Sequence, residues 1–281
     1  TVVDPDYELI FPDALSGSLY SYSGTYQSED IMEMGTGYLL RMTEDSWGVF
    51  MGFPNDEVSI SLSEGWNLFS GLSGALYPDD LYSYDIVQEG TIYGLDGIYY
   101  QPETIEPGNG YWIYAIDSGE ITLSSYESIA KQSAPTNYHE GANTLSFSSE
   151  AYSQSLYFGV EISQDETLRY GLPPTFPQIS FDARFSGETK TVFDSGIIEL
   201  TNPSETVTID YDIKIDAGVN MEWALTSESG SRYVLSGQSG VTVPSEHRFS
   251  LNRVPVIPET FTLHQNFPNP FNPITTLRYD L

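Results

Sequence analysis

The chain has 281 residues, enough for two or three domains each with its own core, and carries 40 acidic against 10 basic side chains, a formal charge of −30. No basic stripe offsets that charge, so repulsion excludes nucleic acid and anionic membrane surfaces as partners. Cysteine is absent, which excludes disulfides and thiol chemistry, and no run approaches the roughly 18 to 20 apolar residues of a spanning helix.

Aromatic residues make up 14% of the chain, with 21 Tyr, and the usual helix-filling Lys and Arg are scarce. That balance suits many short strands and predicts an all-β protein. The chain begins at Thr1 with neither Met nor an apolar signal segment, as expected of a mature chain or a fragment. The acidic surplus reads first as a solvated coat. No cofactor is predicted apart from Ca²⁺, for which Asp79, Asp80 and Asp85, or Asp4 and Asp6, are the candidate oxygen ligands, without a D-x-D-x-D-G loop to join them.

Residues 1–125 contain a duplication. Leu19–Tyr38 aligns with Ile92–Tyr111 without a gap at a constant offset of 73, matching Tyr20 with Tyr93, Gly24 with Gly97, Tyr26 with Tyr99, Glu33 with Glu106, and Gly35-x-Gly37-Tyr38 with Gly108-x-Gly110-Tyr111. The copies span about residues 14–63 and 64–124. In the second copy, Thr91–Leu95 and Ile98–Gln101 flank Asp96-Gly97, which predicts a hairpin with a two-residue turn. Pro107-Gly108-Asn109-Gly110 supplies a tight turn before the aromatic strand Tyr111–Ile116. These glycines shape backbone; neither copy completes G-x-G-x-x-G or opens a helix. Val58–Leu62 and Trp66–Ser70, either side of Glu64-Gly65, read as two further strands.

The order E-G-W-N-L-F-S, D-G-x-Y-Y, then E-P-G-N-G-Y-W-I-Y resembles the small β modules with a W-N-L-I-S strand and a P-G-x-G-Y-W turn that recur in large bacterial surface proteins. The resemblance is fuller over 64–124 than over 14–63, and implies display architecture without catalysis. Tyr99, Tyr100, Tyr111 and Trp112 offer two readings: a platform on which sugar rings stack, or cross-strand packing in a small sheet. Adjacent residues of a strand face opposite ways, so at least one of each pair is expected in a core.

Residues 126–254 read as a β-sandwich of immunoglobulin-like size, after a polar boundary at Ser125–Tyr138. Predicted strands are Thr144–Ser148, Leu156–Ile162, Ile179–Phe185, Gly196–Leu200, Thr206–Ile215, Glu222–Leu225, Ser231–Leu235 and His247–Leu251. Val207, Ile209, Tyr211, Ile213 and Ile215 alternate with polar residues, as in a half-buried antiparallel strand, and Trp223 and Leu225 read as inward anchors. Leu172-Pro173-Pro174-Thr175-Phe176-Pro177 must be an extended loop or edge covering, and Arg184, among apolar neighbours, is expected to pair with an acid. The strings L-Y-F-G, L-P-P-x-F-P and F-D-A-R-F resemble a β-sandwich that commonly precedes a C-terminal sorting domain in exported bacterial proteins.

No constellation identifies a reaction. His139, His247 and His264 are isolated, with no H-E-x-x-H, and neither Gly71–Ala75 nor Gly237–Val241 completes G-x-S-x-G. A non-enzyme is expected, although paired carboxylates cannot be tested by spacing in so acidic a chain.

Residues 255–281 begin with a stiff linker, Pro255-Val256-Ile257-Pro258, and continue into Gln265-Asn266-Phe267-Pro268-Asn269-Pro270-Phe271-Asn272-Pro273. Alternating prolines keep this stretch out of helices and central strands. Ile274–Tyr279 then alternates as a strand would. The motif resembles the opening of the C-terminal sorting domain that sends proteins through the type IX secretion system of Bacteroidetes-like bacteria. The resemblance covers only the opening strand of that family's sandwich, and the family's basic terminal motif is absent. It implies a truncated chain or a remainder that is removed or disordered, contact with the secretion machinery, and display outside a Gram-negative cell or on its outer membrane.

A strand with open edges recruits partners, which suggests filaments or layers built with other copies of the chain or other surface proteins; alternatively, it folds back on residues 126–254. The sequence therefore reads as a non-catalytic structural or adhesive surface protein. Its rival is an accessory polysaccharide-binding portion of a larger secreted hydrolase.

Overall fold

The computed structural model describes residues 5–44, 53–125, 138–164, 166–256, 262–267, 274 and 276–280. The fold is all-β, relieved among the described residues only by two single-turn helices and a 3-10 turn at Thr167–Tyr170. Helix α1 (Tyr7–Ile10) is capped by the Asp6 carboxylate, which accepts the Glu8 N–H. The first hairpin, β1 (Tyr20–Tyr22) and β2 (Tyr26–Ser28), is followed by β3 (Glu57–Leu62) and β4 (Gly65–Ser70). Helix α2 (Pro78–Tyr82) starts on a proline, with Asp79 and Asp80 in its first turn. The second hairpin, β5 (Gly94–Asp96) and β6 (Ile98–Tyr100), precedes β7 (Gly110–Ala115) and β8 (Gly119–Ser124).

Strands β3 and β4 do not pair with each other. β3 runs antiparallel to β8 and β4 to β7, and Ile116-Asp117-Ser118 oppose only Ser63-Glu64 between the two ladders, an extra residue of the kind a bulge accommodates. The core beneath them holds Ile60, Phe69, Leu76, Ile105, Tyr111 and Ile113.

The 73-residue spacing recurs in the hydrogen bonding. Tyr20 and Leu39 exchange both backbone bonds, as do Tyr93 and Trp112. The Tyr38 hydroxyl accepts the Glu33 N–H at 2.8 Å, and the Tyr111 hydroxyl accepts the Glu106 N–H at 2.9 Å. Tyr22 pairs with Tyr26, and Leu95 with Tyr99. Both hairpins are centred on their glycine, Gly24 or Gly97: three residues separate Tyr22 from its partner Tyr26, and Gly97 alone separates Asp96 from its partner Ile98, where Asp96-Gly97 predicted a two-residue turn. The glycine sits at φ +74° or +72°, a left-handed conformation that lets the chain reverse about a single residue.

Residues 138–256 form two five-stranded sheets. Their strands are β9 (Asn143–Ser149), β10 (Tyr152–Phe158), β11 (Asp182–Phe185), β12 (Thr191–Val192), β13 (Gly196–Thr201), β14 (Thr206–Asp212), β15 (Met221–Ser227), β16 (Arg232–Leu235), β17 (Gln238–Pro244) and β18 (Arg248–Pro255). One sheet has the order β12-β10-β9-β14-β17 and the other β11-β13-β18-β15-β16. Their inner faces share one core, with Phe147 against Phe249 at 5.8 Å between ring centres and Phe158 edge-on to Trp223 at 4.8 Å. Trp223 and Leu225 are buried there, as their alternation predicts.

Several strand boundaries differ from the sequence reading, among them the start of β11, at Asp182 and not Ile179, and the end of β18, at Pro255 and not Leu251. β10 begins at Tyr152, not Leu156, because its serines bond across to β9: Ser155 to Ser146 and Ser153 to Ser148. β14 stops at Asp212, since the buried Asn143 carboxamide takes the N–H groups of Lys214 and Ile215 at 2.8 and 2.7 Å and replaces the ladder. β17 was unpredicted; it is a polar, Gly- and Ser-containing edge strand with little apolar alternation to betray it. The tail forms a separate two-stranded sheet, β19 (Thr262–Leu263) against β20 (Tyr279–Asp280), continued by a Phe267–Thr276 bridge.

The equivalent hairpin glycines give a first prediction. An added Cβ meets nothing at Gly24, whereas at Gly97 it overlaps the ring of Tyr152 on β10. In urea unfolding, Gly24→Ala should cost only the left-handed backbone penalty of about 1–2 kcal/mol. Gly97→Ala should cost more, and equal losses at the two sites would refute the docked position of the second hairpin.

Candidate functional site at the seam

The functional geometry that stands out lies where the repeat region meets the sandwich. The Leu172–Pro177 segment has proline at three of its six positions, which keeps it extended, and it lies between the two. Leu172, Phe176 and Ile179 pack in one cluster with Leu39, Leu68, Tyr93, Tyr99 and Trp112. Tyr22 stands edge-on to Trp112 at 4.9 Å, and Tyr20 edge-on to Phe176 at 5.7 Å. The two repeat-equivalent tyrosines converge on one acceptor: Tyr26 and Tyr99 both donate their hydroxyls to the Pro174 carbonyl, at 2.6 and 2.7 Å. A carbonyl oxygen has two lone pairs, so one atom serves both copies.

Arg184 fixes the strap from the sandwich side. Its Nε and Nη2 fork onto both oxygens of the fully buried Asp182 at 2.5 and 2.9 Å, while Nη1 donates to the Pro173 carbonyl at 2.8 Å and to Glu188. The ion pair expected of Arg184 is therefore present, and its guanidinium also lies 5.8 Å from the centre of the Tyr99 ring. Burial pushes the Tyr99 hydroxyl up to about 12, with Tyr26 and Arg184 acting against the rise. It stays protonated and donating at neutral pH.

The four proposed sugar contacts do not form a platform. Tyr99, Tyr111 and Trp112 are buried, and only Tyr100 is open, at 39% exposure. The reason is the seam: both faces of the second copy's aromatic strand are covered, one by its own core and the other by the strap cluster. Asp80 of the suggested Ca²⁺ ligands instead accepts the Tyr77 N–H at the start of α2. Among the described residues no group of three or more His, Asp or Glu is placed to hold a metal ion, and Asp4 lies outside them. In the sorting motif, Gln265, Asn266 and Phe267 are described, with Phe267 79% exposed; Pro268, Asn269, Pro270, Phe271, Asn272 and Pro273 lie outside the described residues.

Sequence reasoning missed a second feature of the seam, a cavity of about 170 Å³ between the second hairpin and β10. Lys190, only 7% exposed, borders it with Tyr93 and His139. The Lys190 ammonium lies 5.1 Å from the centre of the Tyr93 ring, and no carboxylate forms an ion pair with it among the described residues. His139 stacks on Tyr157 at 3.7 Å with the rings nearly parallel. Burial lowers Lys190 to about 7; burial, then the charge of Lys190, lowers His139 to about 3. A lysine between Thr189 and Thr191 gave no periodic signal that its side chain turns inward.

No family model, no curated protein and no solved structure matches the chain. The function therefore has to be argued from the geometry.

The buried lysine sets a pH dependence. Between about 7 and 10.5 the unfolded chain keeps the Lys190 proton and the folded chain does not, so this residue makes stability rise with pH across that window; below it the burial penalty is complete. His139 acts lower down, with stability falling as pH drops from 6.5 toward about 3. The other titratable groups bordering the cavity are Tyr93, Tyr99, Tyr100 and Tyr157. Urea unfolding of the native chain relative to Lys190→Met should show the native chain gaining above pH 7, by at most about 1.4 kcal/mol per pH unit. A difference that does not change with pH would contradict a neutral buried lysine.

Proposed function

We propose that this chain is a non-catalytic structural or adhesive component, displayed on the extracellular surface of a Gram-negative bacterium and assembled with other copies through its C-terminal hairpin. One observation carries the assembly reading. The hairpin is a sheet of its own, outside both sandwich sheets, and it presents Phe267, Ile274 and Leu277 at 79, 78 and 61% exposure. Short open strands with apolar side chains gain backbone partners and apolar burial when another chain adds to them. The resemblance of the Gln265–Pro273 motif to a type IX sorting signal supports export by that machinery, and the immunoglobulin-like character of the sandwich belongs to the same reading. The surface charge keeps monomers soluble until a specific contact forms. The polysaccharide-binding alternative draws no support from Tyr99, Tyr111 and Trp112, whose rings face the interior.

Light scattering and negative-stain microscopy of the full chain, beside a version ending at Val256, test the assembly. That cut keeps β18 whole, together with the Val256 N–H bond to the Asn220 carbonyl. Polymers from the full chain and monomers from the shortened one are expected. Monomers from both, or polymers from both, would remove the tail as the assembling element.

A further inference from the structure

The cavity beside Lys190 has an electrostatic character opposite to that of the whole chain. Although the protein carries 40 acidic side chains, no Asp or Glu among the described residues borders this space. One of the 10 basic residues does, more than nine-tenths buried and without an ion-pair partner among the described residues. Tyr93, whose ring centre lies 5.1 Å from the Lys190 ammonium, borders the space too, and its hydroxyl is buried with no hydrogen-bond partner among the described residues. Burying a cation and a phenol donor together is costly unless something accepts from both.

The site is built to stay in place. The Lys190 N–H donates to the Tyr170 carbonyl at 3.0 Å, and its carbonyl accepts the Tyr157 N–H at 2.8 Å. Tyr93 is held by its two backbone bonds to Trp112 and by the Trp66 ring at 6.0 Å. The oxygen of the Gln154 carboxamide is engaged by the Ala183 N–H at 3.1 Å, which leaves the amino end as that group's donor. The rings of Tyr157, Tyr99 and His139 border the space beside the polar side chains of Gln101, Ser153 and Ser155.

From this geometry we infer that the cavity is a binding site for a small monocarboxylate, its oxygens on Lys190 and Tyr93 and its apolar body against the aromatic rings. A volume of about 170 Å³ is on the scale of a molecule the size of benzoate. A carboxylate accepts at both oxygens, which suits two unsatisfied donors bordering one space. A neutral isostere of the same shape would leave the ammonium uncompensated. The inference does not rest on assembly through the tail, since Lys190 and Tyr93 lie in the seam.

Calorimetric titration of the full chain with sodium benzoate, against benzamide and against sodium chloride, tests it. The measurement belongs at about 0.15 M salt and pH 6.5, where the Debye length of about 8 Å screens the acidic surface. Saturable one-to-one binding of benzoate is expected, with benzamide at least tenfold weaker and chloride inert. Lys190→Met removes a buried charge and is expected to fold; it should abolish benzoate binding. Tyr93→Phe keeps the ring and should weaken binding about tenfold, as the loss of a hydrogen bond to a charged group does. No saturable benzoate signal, equal binding of benzamide, or unchanged binding by a folded Lys190→Met would each overturn the inference.

Discussion

The structure depends on one carbonyl group. Pro174 presents its oxygen between the two copies of a duplicated hairpin, and Tyr26 and Tyr99, 73 positions apart, both donate to it. Each such bond contributes about 1 kcal/mol, which alone would not hold two bodies together. The bonds matter because they set where the rings fall: Tyr22 and Tyr26 stand edge to face with Trp112, and Tyr26 lies tilted against Phe176. Burying each large ring contributes about 1.5–3 kcal/mol from surface removal. Arg184 closes the arrangement by holding Pro173 while its own charge is met by Asp182. Backbone contact extends the seam, with the Phe181 N–H donating to the Gly97 carbonyl, and so does the Arg169–Glu89 ion pair at 2.9 Å.

This arrangement explains what a duplication accomplishes here. Two hairpins of three-residue strands are too short to be stable alone. Bringing equivalent tyrosines onto one acceptor lets both copies use a single strap as their cover, so the sandwich completes the repeat region's core. The unusual tyrosine content then has a structural purpose: a ring that fills space and a hydroxyl that reaches a fixed carbonyl are both needed at this boundary. The cost is visible in the Trp112 Nε1 and Tyr93 hydroxyl groups, buried without hydrogen-bond partners among the described residues. For Tyr93 the neighbouring cavity offers a way to offset it.

The all-β class and most sandwich strands were legible because they rest on local signals: alternation along Val207 and Ile209, glycine at the hairpin tips, and aromatic density. The seam was not, because it depends on pairs such as Tyr26 and Pro174 that are 148 positions apart. Tyr99 and Trp112 looked equally suited to a sugar platform or a core; only the strap, which the proline run marks as extended but does not aim, decides between them. Lys190 was invisible for the same reason. Its sequence neighbours are polar, and its burial comes from the second hairpin docking on β10. The hairpin tip was misjudged locally, since Asp96-Gly97 favours a two-residue turn in isolation while the register centred on Gly97 is the one that meets Tyr152.

Joined at the Pro174 strap, the repeat region and the sandwich are expected to unfold as one cooperative body. Differential scanning calorimetry of the full chain tests this most directly. A single transition whose calorimetric and van't Hoff enthalpies agree is the predicted result. Two separable transitions, one for the repeat region and one for residues 138–256, would contradict it and reduce the seam to a passive contact.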